Sequence, residues 1–265
     1  IGVFLVSAWF HLSQLAAVPL DMTSDHAEKL LDVNDVLSGN HSIFFPRNSG
    51  REPIQFYLSA ALVNIFGLEV GFTTLKLSMA LAFLVSLVYV YKLGREVGNR
   101  WIGLLLMLLV GFASWTNILA RSGMRLVLTP VFVAPVLFYM LRGSRLARRN
   151  DLVLAGVFLG WGLLGYSAFR IVPFVVIIAF ILHAAYQRKP HRWREMAGGL
   201  GLVVLFSIIT ALPLLSFAYQ YPDLIAMRTV TRMTSAEQSI TSPVWLIFLN
   251  NLWKAVVMPI WRNGN

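Results

Sequence analysis

The chain has 265 residues, of which 57% are hydrophobic and 13% are charged, and its mean hydropathy is +0.69. Soluble domains carry about twice this share of charged residues, so the composition excludes an ordinary soluble domain and indicates a polytopic membrane protein. The formal net charge of +10 does not indicate a nucleic-acid partner, because the basic residues border apolar runs and no nucleic-acid-binding motif accompanies them. The sequence has no cysteine, which excludes disulfide bonds and cysteine nucleophiles.

The chain begins with an apolar stretch, residues 1–12, which is too short to cross a membrane and lacks the features of a signal peptide. We expect it to be the end of a first span, in a chain truncated at both ends. A long loop at 20–69 follows, with two predicted surface helices. The first begins near Asp25, which is spaced with Glu28 as a capping box. The second is opened by Pro53 and ends at about residue 66.

Hydropathy predicts six further spans within a single all-α transmembrane domain. They cover about 70–91, 101–118, 126–141, 152–169, 171–187 and 197–219. Residues 220–265 are predicted to form an external loop and an interfacial helix.

Half of the basic residues lie in three clusters between these spans. They are 11 of the 22 Lys and Arg residues: Lys92, Arg95 and Arg100; Arg142, Arg145, Arg148 and Arg149; and Arg188, Lys189, Arg192 and Arg194. Short loops rich in Lys and Arg stay on the cytoplasmic side of a membrane. We therefore expect the 20–69 loop, with seven acids against three bases, to lie on the external face. The predicted location is the plasma (inner) membrane, with the site facing the periplasm or exterior.

Four arginines fall at predicted external helix ends, at positions 51, 121, 125 and 170. Arg51, Arg121, Arg125 and Arg170 would be suited to a phosphate group, because a guanidinium binds phosphate through two parallel hydrogen bonds. The alternative is that each one only reaches for lipid headgroups at the interface.

Two acids in the first loop are candidate catalytic residues, Asp25 and Glu52. The alternative roles are an N-cap for Asp25 and a helix-dipole partner for Glu52. Asp25 with Glu28, or with Asp21, is also a candidate divalent-metal site that His26 or His41 would complete, although the spacing matches no strong metal motif. No nucleophile elbow or phosphate-binding glycine loop is found in the sequence.

An ordered set of segments resembles one family. The set is Thr23-Ser-Asp-His-Ala27, the run from Phe44 to Leu58, Ala120-Arg-Ser-Gly-Met-Arg125, Gly160 to Arg170, and Tyr221 to Arg228. It is similar to bacterial family 39 glycosyltransferases of the GT-C type, which are relatives of polyprenyl-phosphate-mannose protein mannosyltransferases and lipid A aminoarabinose transferases.

The resemblance implies a GT-C-like helical bundle that moves a sugar from a polyprenyl-phosphate donor to a protein or lipid acceptor with inversion. Asp25 would be the general base, with Glu52 as a second acid. The substrate-binding residues implied are Arg51, Arg121, Arg125, Tyr166, Arg170 and Arg228. The chain departs from the family pattern at His26, where relatives often have Glu, and near Leu126, where they often have an acid.

Two alternatives follow from these departures and from the composition. One is a non-catalytic membrane subunit that packs through its apolar exterior with other membrane subunits. The other is a transporter of a lipid-linked substrate, although the spans carry few acids and no paired Gly/Pro-interrupted helices.

Overall fold

A computed structural model of the chain describes residues 1–48, 50–187, 190–225, 243, 246 and 249–254. These residues form an all-α fold without a β-strand among them, as the sequence predicts. The α-helices are α1 (Gly2–Leu12), α2 (Ser24–Leu37), α3 (Ile54–Phe66), α4 (Phe72–Val97), α5 (Arg100–Phe112), α6 (Ser114–Arg121), α7 (Leu128–Leu146), α8 (Arg149–Leu163), α9 (Val172–Gln187) and α10 (Pro190–Gln220). Two 3-10 helices, Arg125–Val127 and Ser167–Ile171, precede α7 and α9.

Both predicted surface helices are present, but α2 is capped differently from the prediction. Its N-cap is Thr23, and the capping box joins Thr23 to His26. The pair Asp25 and Glu28 is not that box, so the interpretation of Asp25 as a plain N-cap is wrong. Asp25 lies in the first turn of α2, where the partial positive charge of the helix N-terminus favours a carboxylate.

Three described helical segments are long and apolar enough to cross a membrane: Phe72–Val97, Arg125–Leu146 and Met196–Gln220. The helices α8 and α9 have 15 and 16 residues, which is shorter than the roughly 20 residues of a typical span. The number of spans therefore stays a prediction.

The predicted span at 101–118 is two helices rather than one. The axes of α5 and α6 differ by 59° at a break at Ala113, and they make a fourth crossing if they count as one span. The hydroxyl of Thr116 lies 2.6 Å from the Val110 carbonyl oxygen and 2.9 Å from that of Ala113. This side-chain donor provides a partner for the Val110 carbonyl group at the break, while the Ala113 carbonyl also accepts the Asn117 backbone N–H at 3.1 Å.

The central helix is α4, which packs against α5 and α7. Gly94 and Gly103 allow the close approach of α5, because a Cβ atom at Gly103 would lie 2.6 Å from the Tyr91 carbonyl oxygen. A core of buried apolar side chains runs along α4, α7 and α8, and a second apolar cluster holds α2 and α3 on the start of α4. This second cluster, which includes Val33, Phe45 and Phe56, fixes the surface helices and hence the site between them.

The two ends of α4 have different electrostatic surroundings. At its C-terminal end, Arg145 Nε donates to Glu96 Oε1 at 2.7 Å, which brings the first two basic clusters together. At its N-terminal end, Lys76 donates to the carbonyl groups of Ala16 and Pro19 at the start of the first loop. At 1.5 Å per residue, Lys76 and Glu96 are about 30 Å apart.

The chain divides into two compact units, Ile1–Phe217 and Ala218–Asn265. In the second unit, residues 249–254 are helical. Arg228 lies outside the described residues, as does most of the interfacial helix predicted near the end of the chain.

Candidate active site

One face of α2 carries a row of carboxylates that converge on Arg51. Arg51 is fully buried and donates to Asp25 Oδ1 at 2.7 Å, Glu28 Oε2 at 2.5 Å and Asp32 Oδ2 at 3.0 Å. Residues three, four and seven positions apart share one face of a helix, which is why these three acids meet one guanidinium. Arg47 adds a second cation through Asp32 and Asp35.

A short loop brings Arg51 to this row. The backbone of Phe45 and Arg51 is paired by two hydrogen bonds, of 3.0 and 2.7 Å. Gly50 makes the turn with φ of +98°, and a Cβ atom there would lie 2.2 Å from the Phe44 ring. At the tip of the loop, Asn48 Nδ2 donates to Asp25 Oδ1 at 2.9 Å.

Asp25 lies at the rim of this group, with 35% of its side chain exposed, as does Glu28 at 42%. Burial by itself raises the pKa of Asp25, but the hydrogen bond and charge of Lys29, the charge of Arg51 and the amide of Asn48 outweigh burial and lower the pKa to about 2. Asp25 is therefore ionised at neutral pH.

Lys29 lies behind Asp25 and is 1% exposed. Its Nζ donates to Asp25 Oδ2 and lies 3.0 Å from Met124 Sδ. Burial lowers the pKa of Lys29 to about 8, against the opposing effect of Asp25. The contact joins α2 to the turn that follows α6.

His26 points away from this cluster. Its Nδ1 accepts the backbone N–H of Thr23 at 3.1 Å, so its Nε2 carries the proton and donates to the Ser122 carbonyl oxygen at 2.8 Å. The residue that departs from the family pattern thus caps α2 and fastens it to the turn after α6.

A second ion cluster is centred on Glu52, which is fully buried. Arg125 Nη1 donates to Glu52 Oε2 at 3.1 Å, and Arg170 Nη2 donates to Oε1 at 3.2 Å. The Arg125 guanidinium lies 5.7 Å from the centre of the Tyr166 ring. The side chain of Arg170 is 31% exposed, so part of this cluster faces outward.

The two clusters are neighbours. Arg51 and Glu52 are consecutive residues, and Lys29 contacts Met124, which precedes Arg125. The structure therefore brings together five of the predicted site residues, Asp25, Arg51, Glu52, Arg125 and Arg170, and places Tyr166 beside them.

Arg121 lies elsewhere. It donates to the carbonyl oxygens of Phe10 at 2.7 Å, Ser13 at 2.8 Å and Val18 at 3.0 Å. Phe10 lies in the last turn of α1, and Ser13 and Val18 follow it, in a region where carbonyl groups lack helical partners. Arg121 closes α1 and fixes the chain that leads to α2.

The carboxylates of α2 do not fit a resident metal ion. Each acid in the row is paired with Arg or Lys, and within the described ranges no group of three or more His, Asp or Glu side chains is arranged to hold a metal. The involvement of a divalent metal stays a prediction.

Three site residues were not predicted from the sequence: Lys29, Asp32 and Asn48. The signal for the first two was present, because positions 25, 29 and 32 repeat at helical spacing on one face. For Asn48 there was no signal, because its position depends on the turn at Gly50.

A family model described as dolichyl-phosphate-mannose-protein mannosyltransferase matches residues 50–216, which is more than half of the chain. This match confirms the resemblance inferred from the ordered motifs. No match was found among curated proteins.

Solved structures of the Archaeoglobus fulgidus oligosaccharyltransferase share the fold. The complex with Zn and sulfate has a TM-score of 0.60 at 18% identity and covers 97% of this chain and 40% of that one. The apo form has a TM-score of 0.55 at 16% identity, with 100% and 39% covered. The complex with an inhibitory peptide and a dolichol-phosphate has a TM-score of 0.55 at 16% identity, with 99% and 39% covered. The chain thus spans about two fifths of the length of these structures, and at this identity the likeness concerns the fold alone.

Proposed function

Because the chain belongs to the dolichyl-phosphate-mannose-protein mannosyltransferase family, we propose that it transfers a sugar from a polyprenyl-phosphate donor to an acceptor outside the membrane. Asp25 is the general base, and the reaction inverts the configuration at the sugar's anomeric carbon. The acceptor is a protein or a lipid.

One observation carries this proposal: an ionised, part-exposed carboxylate lies next to a cluster of arginines that also reaches the surface. Asp25 provides the carboxylate. Its partner Arg51 is followed in the chain by Glu52, which binds the guanidiniums of Arg125 and Arg170. A base and a phosphate-binding group at one site are the two elements that transfer from a sugar phosphate requires.

The proposed reaction is a single displacement. The acceptor oxygen attacks the anomeric carbon and forms the new C–O bond, while the bond between that carbon and the phosphate oxygen breaks. The proton of the acceptor passes to Asp25, and the bonding electrons leave with the polyprenyl phosphate. Attack on the face opposite the leaving group produces inversion.

The arginines stabilise the charge that develops on the leaving phosphate. Glu52 holds Arg125 and Arg170 in place before the donor binds, so little reorganisation is needed during the reaction. Tyr166 lies against Arg125 and limits its movement. In this proposal Arg125 and Arg170 bind the phosphate, Arg51 holds Asp25, and Arg121 takes no part in binding.

The distribution of charge supports an external site. The first two basic clusters meet at the C-terminal end of α4, where Arg145 pairs with Glu96. The ion clusters lie near the other end, where Gly123 packs on Lys76 and accepts a hydrogen bond from Gln55. Since basic loops tend to stay cytoplasmic, this polarity supports a site that faces the periplasm or exterior.

Solved structures that share the fold support both the proposed donor and the proposed acceptor. One solved structure of the Archaeoglobus fulgidus enzyme is tethered to an acceptor peptide, and another contains a dolichol-phosphate. We extend to this chain a lipid-phosphate donor and an acceptor that carries a nucleophilic side chain or hydroxyl group.

The test is sugar transfer by the full-length gene product in membrane vesicles, with dolichyl-phosphate [14C]mannose as the donor probe and endogenous proteins and lipids as acceptors. The wild type is expected to label acceptor material, and Asp25→Asn to reduce the rate at least about 100-fold, the usual contribution of a general base. Asp35→Asn is the matched control, because Asp35 lies on the same helix and pairs with Arg47 away from Asp25.

Equal rates for Asp25→Asn and the wild type would overturn the assignment of the base. Absence of transfer by the wild type, with co-purification of other membrane proteins at fixed stoichiometry, would instead favour the non-catalytic subunit.

A further inference from the structure

Lys29 is a buried cation that the proposed reaction does not use. It is 1% exposed, and removing a lysine from water is costly unless its charge is matched. An apolar side chain would fill the same volume without this cost. The charge therefore has a role beyond packing.

The two oxygens of Asp25 have different surroundings. Oδ2 faces inward and accepts from Lys29 Nζ. Oδ1 accepts from Arg51 at 2.7 Å and from Asn48 at 2.9 Å, and Asn48 is exposed. Oδ1 is therefore the oxygen that an incoming hydroxyl group reaches, by replacing the Asn48 amide.

From this geometry we propose that Lys29 is a positioning residue for the general base: it holds Oδ2 of Asp25 from the buried side and presents Oδ1 to the acceptor hydroxyl. The inference rests on the proposed function, because it assigns a role in the proton transfer to Asp25. Met124 Sδ, 3.0 Å from Nζ, fixes the lysine from the opposite side.

The charged groups around Lys29 come from three parts of the chain. Asp25 lies on the same helix, Arg51 on the loop between α2 and α3, and Arg125 at the start of the 3-10 helix before α7. Burial and the two arginines favour the neutral lysine, and Asp25 favours the charged one; the net effect lowers the pKa of Lys29 to about 8. The hold on Asp25 is thus present at neutral pH and is released as the pH rises through about 8.

The experiment compares Lys29→Met and Lys29→Arg with the wild type in the vesicle assay. Lys29→Met is expected to lower kcat about 10-fold or more while the donor KM stays within about twofold, since the base is misplaced and the phosphate site is intact. The wild-type kcat is expected to fall above pH about 8, and Lys29→Arg to move this fall upward by at least about one pH unit, because arginine does not lose its proton in this range.

Lys76→Met is the matched control. Lys76 is also fully buried, but its Nζ donates to the carbonyl groups of Ala16 and Pro19 rather than to a carboxylate. The control is expected to leave the pH profile of kcat unchanged.

The inference is overturned if kcat is unchanged in Lys29→Met, or if kcat of Lys29→Arg falls at the same alkaline pH as that of the wild type. Sugar transfer by the wild type would preserve the proposed function in either case. A structure of Lys29→Met gives a readout that does not depend on turnover. The Asp25 carboxylate is expected to rotate away from Met124, and an unmoved carboxylate overturns the inference even if no transfer is detected.

Discussion

Glu52 and Arg170 are 118 positions apart in the chain, and Arg170 Nη2 lies 3.2 Å from Glu52 Oε1. The carboxylate is fully buried and also accepts from Arg125. One acid thus joins the first loop, the turn before α7 and the turn before α9. The pairing explains how a charge at the start of α3 is accommodated away from water, and it makes Glu52 the residue on which both guanidiniums depend.

Glu52→Gln is expected to lower the free energy of unfolding by about 3 kcal/mol, because removing one partner of a buried ion pair leaves the other charge poorly compensated. Thermal unfolding in detergent measures the change. The control is Glu28→Gln, whose side chain is 42% exposed and which is expected to cost less than about 1 kcal/mol. Equal shifts for the two variants would show that Glu52 does not organise this region.

Arg121→Met is expected to destabilise the protein by about 2 kcal/mol, because three backbone carbonyl groups lose a charged donor. The rate of transfer per folded molecule is expected to stay within about twofold of the wild type. Thermal unfolding and the vesicle assay, corrected for the folded fraction, measure the two effects. A large loss of donor affinity with no change in stability would instead indicate that Arg121 binds the donor phosphate.

Arg170→Lys is expected to raise the donor KM about 10-fold, equivalent to about 1.4 kcal/mol. The planar guanidinium can face Glu52 with one nitrogen and a phosphate with another, whereas an ammonium group cannot bind phosphate in this two-pronged way. Initial rates over a range of dolichyl-phosphate mannose concentrations measure the change. Arg148→Lys is the control, because Arg148 lies at the N-terminal end of α8 and Arg170 follows its C-terminal end. An equal rise in both variants would contradict the assignment.

The sequence was sufficient to predict the all-α fold and the two helices of the first loop. These features depend on local composition and on periodicity, which are readable along one segment at a time. Three of the four arginines at the predicted helix ends meet the candidate acids, Arg51 at Asp25 and Arg125 and Arg170 at Glu52.

The roles of individual charges were harder to predict because they depend on tertiary contacts. Arg121 is only four positions from Arg125, yet its side chain turns to the end of α1. Lys29 resembled a solvent-exposed residue on a polar helix face, and only the packing of Met124 against it shows that it is buried. The break at Ala113 was likewise hidden within a continuous apolar run.

The cap of α2 is expected to make the protein sensitive to mild acid. Burial lowers the pKa of His26 below 6.5, against the opposing effect of its hydrogen bond to the Ser122 carbonyl oxygen. Below pH 6.5 the unfolded chain therefore binds a proton at this position that the folded chain excludes, and stability falls as the pH falls. Protonation would also place a hydrogen on Nδ1, which accepts the Thr23 N–H, so the N-terminus of α2, where Asp25 lies, would lose this capping hydrogen bond.

His26→Gln preserves an acceptor at this capping position without a titrating group. Thermal midpoints in detergent between pH 7 and pH 5 are expected to fall more steeply for the wild type than for His26→Gln, and parallel curves would contradict this role.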